Sequence, residues 1–134
     1  MAGHFLFELV SPERLLFSEE VTQLVLPASE GYMTVMAEHA PMMTNIIPGL
    51  VKVHTLKAER AFAVYGGFAE VTPTSCSLLA EFAVAAEDFD PEDLERRIEE
   101  ARKAIDGAQE YEARNKAEDF FHQLTTVRGV LTLA

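Results

Sequence analysis

The chain has 134 residues, of which 49% are hydrophobic and 25% are charged, and these values fit one globular domain with a small additional unit. Its 22 Asp and Glu residues outnumber its 11 Lys and Arg residues, and the formal net charge of -11 makes nucleic acids and anionic lipid surfaces unfavourable partners. Charged residues, proline or glycine interrupt every apolar run before the ~18 residues that a bilayer-spanning helix needs, so we expect no direct lipid insertion.

The first residues carry no recognisable targeting signal. They lack the basic segment and the long apolar core of a secretory signal, and they lack the Arg and Ser bias of a transit peptide. The single cysteine, Cys76, cannot close an intramolecular disulfide. The sequence therefore predicts a chain that is made and kept in a bacterial cytoplasm.

Two parts of the chain follow different patterns, and the acidic stretch from Glu87 to Asp90 marks the predicted boundary. Residues 1–86 contain five of the six prolines and five of the seven glycines, whereas residues 87–134 contain 20 of the 33 charged residues. Frequent turns favour strands, and dense charge with helical spacing favours solvated helices. We predict a β-domain at 1–86 and a helical domain at 87–134.

The first part contains short runs with the composition of β-strands. They cover residues 4–10, 21–26, 32–36, 50–56, 61–65, 68–71 and 77–84. Seven or more strands without an intervening helix indicate a sandwich or a barrel. Gly66 and Gly67 lie between two runs and predict a tight hairpin with positive backbone angles.

The second part begins with a strong helix-start signal. Asp90 can cap free amide groups, Pro91 fits the first helical position, and the acids that follow complement the positive helix end. Gly107 is predicted to end this helix in a left-handed conformation. Two apolar stripes predict an antiparallel hairpin: Leu94, Ile98, Ala101 and Ile105, then Ala113, Ala117, Phe120, Leu124, Val127 and Leu131.

Both helices carry further signals. Opposite charges one turn apart are predicted to pair, as Glu92/Arg96, Asp93/Arg97 and Glu99/Lys103. Three large apolar residues of the second helix exceed what the first helix is expected to cover: Phe120, Phe121 and Leu124. We expect them to pack on the β-domain or on another protein.

Motifs for catalysis or metal binding are absent from the sequence. No nucleophile elbow and no phosphate-binding glycine loop occur, and Cys76 lacks a recognisable catalytic motif, which favours a packed thiol. The four histidines are scattered without metal-ligand spacing: His4, His39, His54 and His122. We predict no catalytic site, no metal and no resident cofactor.

A methionine-rich segment spans Glu30 to Thr44 and contains four of the five methionines. Methionine suits either an irregular core or an adaptable binding surface. Composition alone favours a core strand followed by a turn.

Several short segments in a fixed order carry a family resemblance. They are Ser11-Pro12-Glu13-Arg14-Leu15-Leu16-Phe17-Ser18, Glu30-Gly31, His39-Ala40-Pro41, Thr44, Pro48-Gly49 and Gly66-Gly67-Phe68-Ala69-Glu70-Val71. With the helical part behind them, they make the whole chain similar to the epsilon subunit of the rotary F-type ATP synthase. The resemblance implies a ten-stranded β-sandwich followed by an antiparallel two-helix hairpin, in a central-stalk subunit without an active site.

The same resemblance implies partners and contact residues. In the family the sandwich lies between the gamma subunit and the c ring, at the cytoplasmic face of the bacterial inner membrane. Matching positions place Glu30, Gly31, Tyr32 and His39 at the c ring, and Ser11 in a region that contacts gamma. Tyr32 replaces the acidic residue often found there, so an aromatic contact is expected in place of charge pairing.

Some relatives bind ATP through an aliphatic-Asp-x-x-Arg-Ala motif at the start of the hairpin. The matching stretch here is Phe89-Asp90-Pro91-Glu92-Asp93-Leu94, in which only Asp90 fits. Asp93 stands in the place of the arginine and would repel phosphate groups. We expect weak or absent ATP binding.

Family hairpins can also extend and block ATP hydrolysis at the alpha and beta subunits. By this analogy, possible inhibitory residues on the second helix are Arg114, Lys116, Phe120, Phe121, Leu124 and Arg128. Four acidic residues on the same helix weaken the electrostatic attraction, so inhibition is a hypothesis. Two other hypotheses stay open: a free-standing binding module whose hairpin closes on a small ligand, and a small β-barrel enzyme that uses Cys76 or His39.

Overall fold

The structure is a computed structural model that describes the backbone of residues 3–133 and the side chains of residues 3–129. It divides into two compact units, the first ending at Glu87 and the second beginning at Asp88. Ten strands form the first unit and two α-helices form the second, which confirms the predicted sandwich and hairpin.

The strands follow one another without an intervening helix. They are β1 Phe5–Val10, β2 Leu15–Val21, β3 Gln23–Ala28, β4 Gly31–Val35, β5 Met42–Ile46, β6 Gly49–His54, β7 Glu59–Val64, β8 Gly67–Val71, β9 Ser75–Ala80 and β10 Ala83–Ala85. Their order in space is β10-β7-β6-β3-β5-β8-β9-β1-β2, with β4 paired to β3. All of these pairs are antiparallel except β1 with β9.

Two half-sheets make up the sandwich, and a short pairing of β3 with β5 joins them. Strands β10, β7, β6, β3 and β4 form one half, and strands β5, β8, β9, β1 and β2 form the other. Ala28 of β3 and Ile46 of β5 are the one pair between them in the described residues. Alternate side chains of both halves point inward, because successive residues of a strand face opposite sides.

Aromatic rings connect the two half-sheets through the core. The ring of Phe17 on β2 lies 5.8 Å from that of Phe7 on β1 and 5.7 Å from that of Phe62 on β7. The guanidinium of Arg60 lies over Phe17 and Phe62, at 5.7 and 5.0 Å from the ring centres. Across residues 3–129, no buried side-chain nitrogen or oxygen lacks a hydrogen-bond partner. Close packing of this kind makes a stiff body.

Two strands of the structure were not predicted from the sequence, and one predicted strand corresponds to two strands in the structure. Strand β2 was missed because the run Ser18-Glu19-Glu20 interrupts its apolar pattern at the edge of the sheet. Strand β5 was missed because it is short and mostly polar or exposed. The predicted strand 77–84 breaks after Ala80, where the chain turns between β9 and β10.

The hairpin predicted at Gly66 and Gly67 is wrong, although their positive φ angles, 123° and 135°, are confirmed. Strand β7 pairs with β6 and β10, and β8 pairs with β5 and β9, so the two glycines carry the chain from one half-sheet to the other. A Cβ atom on Gly67 would lie 2.2 Å from the carbonyl oxygen of Leu79. The glycine is therefore required by the close approach of β8 to β9 rather than by a turn.

The second unit contains α1 (Pro91–Gly107) and α2 (Tyr111–Leu133), preceded by a short 3-10 turn at Ala86–Asp88. As predicted, Pro91 is the first helical residue and the Asp90 carboxylate accepts the Glu92 N–H at 3.0 Å. Gly107 does not adopt the predicted left-handed conformation. It is the last helical residue, and Ala108 caps the helix in an extended conformation with its N–H directed at the Ile105 carbonyl.

The predicted stripe of α2 is confirmed at Ala117, Leu124 and Val127, which are partly or fully buried, and it departs from the prediction at Phe120 and Ala113. Phe121 is half-buried and its ring lies 5.5 Å from the Arg102 guanidinium, whereas Phe120 is 38% exposed and Ala113 is exposed. Leu124 is completely buried, as its place in the predicted stripe implies, and Phe120 remains partly exposed, as expected for the excess apolar surface. The predicted Leu131 lies outside the described side chains. Spacings of four and three from Ala117 through Phe121 to Leu124 keep one face towards α1.

Ion pairs on the hairpin match the prediction in one case of three. Asp93 pairs with Arg97 at 2.9 Å, as expected. Arg96 pairs with Asp93 and Glu100 rather than Glu92, and Glu99 lies 3.8 Å from Arg102 rather than pairing with Lys103. Both alternatives keep a spacing of three or four residues, which brings side chains together on a helix.

Candidate partner-binding surfaces

The loop between β3 and β4 projects from one end of the sandwich. Glu30 and Gly31 are exposed, and Gly31 has a φ of 126°, a backbone conformation that glycine adopts readily. Tyr32 is 58% exposed, yet its hydroxyl oxygen accepts a hydrogen bond from the Leu50 N–H at 3.2 Å. The phenol is thus anchored across the sheet while one part of its ring remains available to a partner.

His39 lies at the other end of β4. The turn Met36–His39 closes with a hydrogen bond from the His39 N–H to the Met36 carbonyl, and Glu38 N–H donates to the Pro73 carbonyl at 2.8 Å. Glu38 has a φ of 65°, which side-chain-bearing residues adopt at some cost. The five residues of β4 span roughly 17 Å, so the structure does not bring His39 together with Glu30, Gly31 and Tyr32.

Ser11 lies at the same end of the sandwich as Glu30. It closes the β1–β2 turn through mutual backbone hydrogen bonds with Arg14. A groove of about 640 Å³ beside Ser11 meets a groove of about 550 Å³ beside Glu30, because Asn45 lines both. The structure therefore brings the residue matched to gamma and the loop matched to the c ring onto adjoining surfaces.

An apolar row, formed by Phe68, Leu79 and Met43, crosses the outer face of the half-sheet next to Ser11. In register, Asn45 pairs with Phe68, Phe68 with Leu79, and Leu79 with Val10. Phe68 and Leu79 are 38% and 45% exposed, and Met43 on β5 is 65% exposed. Exposed apolar side chains contiguous on one face are typical of a protein-binding surface.

Most of the candidate inhibitory side chains already have partners within the hairpin. Arg128 binds Glu95 at 3.0 Å and Arg114 binds Glu118 at 3.2 Å, both through side chains. Lys116 is exposed, and so are the other residues of α2 from 111 to 115. In this arrangement Phe120 and Lys116 are the more accessible members of the predicted set.

The amino-acid sequence matches the family model described as the ATP synthase delta/epsilon chain β-sandwich domain, over residues 4–86. The chain belongs to this family. The ATP synthase epsilon chain of Chelativorans sp. (strain BNC1) is 58% identical over 132 residues, and that of Brucella anthropi is 53% identical over 132 residues. Each alignment covers 98% of both chains. The predicted resemblance to epsilon subunits is thereby confirmed.

Solved structures share the fold. One is a chain of the Euglena gracilis mitochondrial ATP synthase, with a TM-score of 0.70, 24% identity, and coverage of 94% of this chain and 82% of that one. Another comes from the central stalk and c ring of the Tetrahymena thermophila mitochondrial ATP synthase, with a TM-score of 0.64, 11% identity, and coverage of 96% of each chain. Across residues 3–133, no helix is both long and apolar enough to cross a membrane.

Two carboxylates occupy the segment that matches the ATP motif of some epsilon chains. Asp90 is engaged as the helix cap, and Asp93 accepts hydrogen bonds from Arg97 and Arg96. The hydrogen bond from Arg97, and after it that from Arg96, lowers the pKa of Asp93 against the opposing effect of burial. Asp93 is therefore ionised at neutral pH, and weak or absent ATP binding stays our prediction.

Cys76 is buried in the sandwich, and burial raises the pKa of its thiol to about 12. A thiol with such a pKa is protonated and unreactive at neutral pH, which confirms the expectation of a packed thiol. His4 and His54 each pair with one glutamate, Glu20 and Glu59. Among the described side chains, no group of three or more histidines, cysteines or carboxylates is arranged to hold a metal ion.

Sequence analysis missed the apolar row, although a signal for it was present. In β8 and β9 the side chains that alternate with the buried ones include Phe68 and Leu79, where a solvated face would carry polar groups. The methionine-rich segment is also less buried than composition suggested, because Met36 and Met43 are more than half exposed. Its strand nevertheless contributes Val35 to the core.

Proposed function

We propose that this chain is a central-stalk rotor subunit of a proton-translocating ATP synthase, without catalytic activity of its own, which couples the gamma subunit to the c ring. The observation that carries the proposal is the pair of adjoining, exposed surfaces on one rigid sandwich. A subunit that transmits torque needs two simultaneous contacts and little deformation between them. The aromatic core and the paired strands supply that stiffness.

The gamma contact is proposed at the apolar row and Ser11. Phe68, Leu79 and Met43 present exposed apolar surface to a partner, and the groove beside Ser11 can receive a side chain from it. Burying such side chains contributes about 25 cal/mol per Å² of apolar surface.

The c-ring contact is proposed at Glu30, Gly31 and Tyr32. The exposed carboxylate of Glu30 and the ring of Tyr32 suit a polar loop that carries a cation or an amide. His39 was matched to the same contact. Because the whole of strand β4 separates it from the loop, it would have to meet a different segment of the ring or of gamma.

For the hairpin we propose inhibition of ATP hydrolysis through the alpha and beta subunits, with a condition set by the structure. Leu124 is buried and Arg128 is paired with Glu95, so these residues can dock only after α2 separates from α1. Phe120, Phe121, Arg114 and Lys116 complete the proposed inhibitory face. The switch requires a closed and an open state that differ by a few kcal/mol.

In the cell, the proposal places the chain peripherally at the cytoplasmic face of the bacterial inner membrane. The test is ATP hydrolysis by an ATP synthase depleted of this subunit, to which the full chain or residues 1–86 are added, with binding measured in parallel. We expect both forms to bind and to restore coupling of hydrolysis to proton transport, and the full chain alone to slow hydrolysis. Failure of both to bind would overturn the rotor assignment. Binding of both with unchanged hydrolysis would overturn inhibition alone.

A further inference from the structure

Three strands of the described sheet have a free edge: β2, β10 and β4. Natural sheets protect free edges with charged side chains, proline or very short strands, because unpaired backbone groups attract another strand. Strand β2 carries Glu19 and Glu20, and β10 has three residues. Strand β4, Gly31-Tyr32-Met33-Thr34-Val35, has five residues and contains neither a charge nor a proline. It is the unprotected edge among the three.

The register identifies which backbone groups of β4 are unpaired. Tyr32 lies opposite Pro27, which has no N–H, so this is a pair without mutual hydrogen bonds. The Pro27 carbonyl accepts instead from the Ile47 N–H at 2.9 Å, on the far side of β3. Since hydrogen-bonded and non-hydrogen-bonded pairs alternate, Met33 bonds to β3 while the N–H and C=O groups of Tyr32 and Thr34 point away from it.

Acidic side chains flank both ends of this edge. Glu30 precedes β4, Glu38 follows it, and both are exposed. In the middle of the strand, Thr34 lies opposite Val25 of β3, whose partner on its other side is the exposed Lys52 of β6. Antiparallel pairing of two copies through β4 would bring the glutamates at the two ends of the strand towards each other, which disfavours self-association. A segment with basic residues at its ends is complementary.

We propose that β4 binds an extended segment of a partner subunit of the ATP synthase, which adds a strand to this edge and carries basic residues near Glu30 and Glu38. The proposal rests on the proposed rotor function. Backbone hydrogen bonds to Tyr32 and Thr34 supply affinity, and the adjacent groove lined by Tyr32, Met42 and Met43 receives an apolar side chain of the segment.

The test removes one outward donor without touching the ladder to β3. Thr34→Pro eliminates the Thr34 N–H, and Thr34→Ala is the matched control that removes only the exposed side chain. The full-length wild type and variants are added to ATP synthase depleted of this subunit. We expect Thr34→Pro to bind at least tenfold more weakly than wild type and Thr34→Ala to bind within about twofold, since each lost backbone hydrogen bond and its distorted neighbour weaken the added strand. Glu30→Lys combined with Glu38→Lys is expected to weaken binding and to reduce its salt dependence.

Hydrogen exchange resolved to single residues gives a second readout. In the free chain the Met33 and Val35 amides should exchange slowly and the Tyr32 and Thr34 amides rapidly, and in the complex all four should exchange slowly. If the Met33 and Val35 amides lose their protection in Thr34→Pro, the substitution has disturbed the pairing of β4 with β3. The amide exchange of the wild-type chain, free and in the complex, then decides whether a strand is added.

Several results would overturn the proposal. Unchanged binding of Thr34→Pro with an intact β3 ladder, or rapid exchange of Tyr32 and Thr34 in the complex, would exclude an added strand while the rotor function stands. Protection of both amides in the free chain, together with a dimer at high concentration, would assign the edge to a second copy. Failure of the wild-type chain to bind would remove the rotor function and this inference with it.

Discussion

Gly66 and Gly67 allow backbone strain and steric conflict to be measured separately. Both have positive φ angles, so an alanine at either position should cost about 1 to 3 kcal/mol in backbone strain. A Cβ at position 66 would meet only the flexible carboxylate of Glu81, at 3.2 Å. At position 67 it would lie 2.2 Å from the Leu79 carbonyl oxygen and 2.8 Å from the Ala80 Cα. Two strands would have to separate, which should cost about 1 to 3 kcal/mol more.

Thermal unfolding of full-length Gly66→Ala and Gly67→Ala tests this reasoning. The chain has no tryptophan and Tyr111 is 81% exposed, so near-ultraviolet circular dichroism reports mainly on Tyr32 and Tyr65 of the sandwich. An additional 2 kcal/mol corresponds to a Tm that is roughly 8 to 16 °C lower for Gly67→Ala than for Gly66→Ala. Equal Tm values would mean that the close approach of β8 to β9 at Gly67 yields easily, and the steric argument would be refuted.

Three further predictions concern single side chains. Glu38→Gly should stabilise the sandwich by about 0.5 to 1 kcal/mol, because relief of a left-handed conformation exceeds the entropic cost of glycine, as a rise in the sandwich Tm would show. Leu124→Ala should destabilise the hairpin by about 2 to 5 kcal/mol and Phe120→Ala by about 1 kcal/mol or less, measured by helical circular dichroism during denaturation. Asp93→Asn should destabilise the hairpin by about 0.5 kcal/mol at pH 7, and a double-mutant cycle with Arg97 measures the pair.

The pH dependence of the Asp93 variant has a definite sign. Hydrogen bonding to Arg97 lowers the pKa of Asp93 in the folded chain, so the pair stabilises the hairpin fully above the ordinary aspartate pKa of about 3.9. This contribution disappears as the pH falls through the lowered value, and wild type and Asp93→Asn should then converge. A difference that persists or grows in acid would contradict the assignment. The other two predictions have equally clear contrary results. A Glu38→Gly variant less stable than wild type would contradict the first, and equal destabilisation by Leu124→Ala and Phe120→Ala would contradict the second.

Local patterns were sufficient for the helical unit and for most strands, and they failed where distant contacts decide. The signal at Asp90 and Pro91 predicted the helix start, because capping involves neighbouring residues. The glycine pair was assigned to a hairpin, because no local pattern shows that β7 and β8 belong to different half-sheets. Phe120 was placed in the stripe in preference to Phe121 for a related reason. Both are apolar, and the rotation of α2 about its own axis decides which of them is more buried.

The candidate surfaces also include features that local sequence patterns reveal and features that only distant contacts decide. Glu30, Gly31, Tyr32 and Ser11 came from matching motifs, and the structure places them at one end of the sandwich. The free edge of β4 required knowledge of the pairing, since an edge strand and a central strand can have the same sequence pattern. The anchoring of Tyr32 by the Leu50 N–H was also inaccessible to sequence reasoning, because the two residues meet across β3.

The parallel pairing of β1 with β9 has a consequence for how the chain is synthesised. Phe7 lies beside Cys76, so the first strand finds its second neighbour about 70 residues later. At a ribosomal rate of roughly 5 to 20 residues per second, the completed β1–β2 hairpin waits roughly 3 to 11 s for β9, with Phe5 and Phe7 lacking this neighbouring strand. Two strands alone are marginally stable in water. The nascent sandwich is therefore expected to depend on chaperone protection until β9 leaves the ribosome, at the time when the helical unit is being translated.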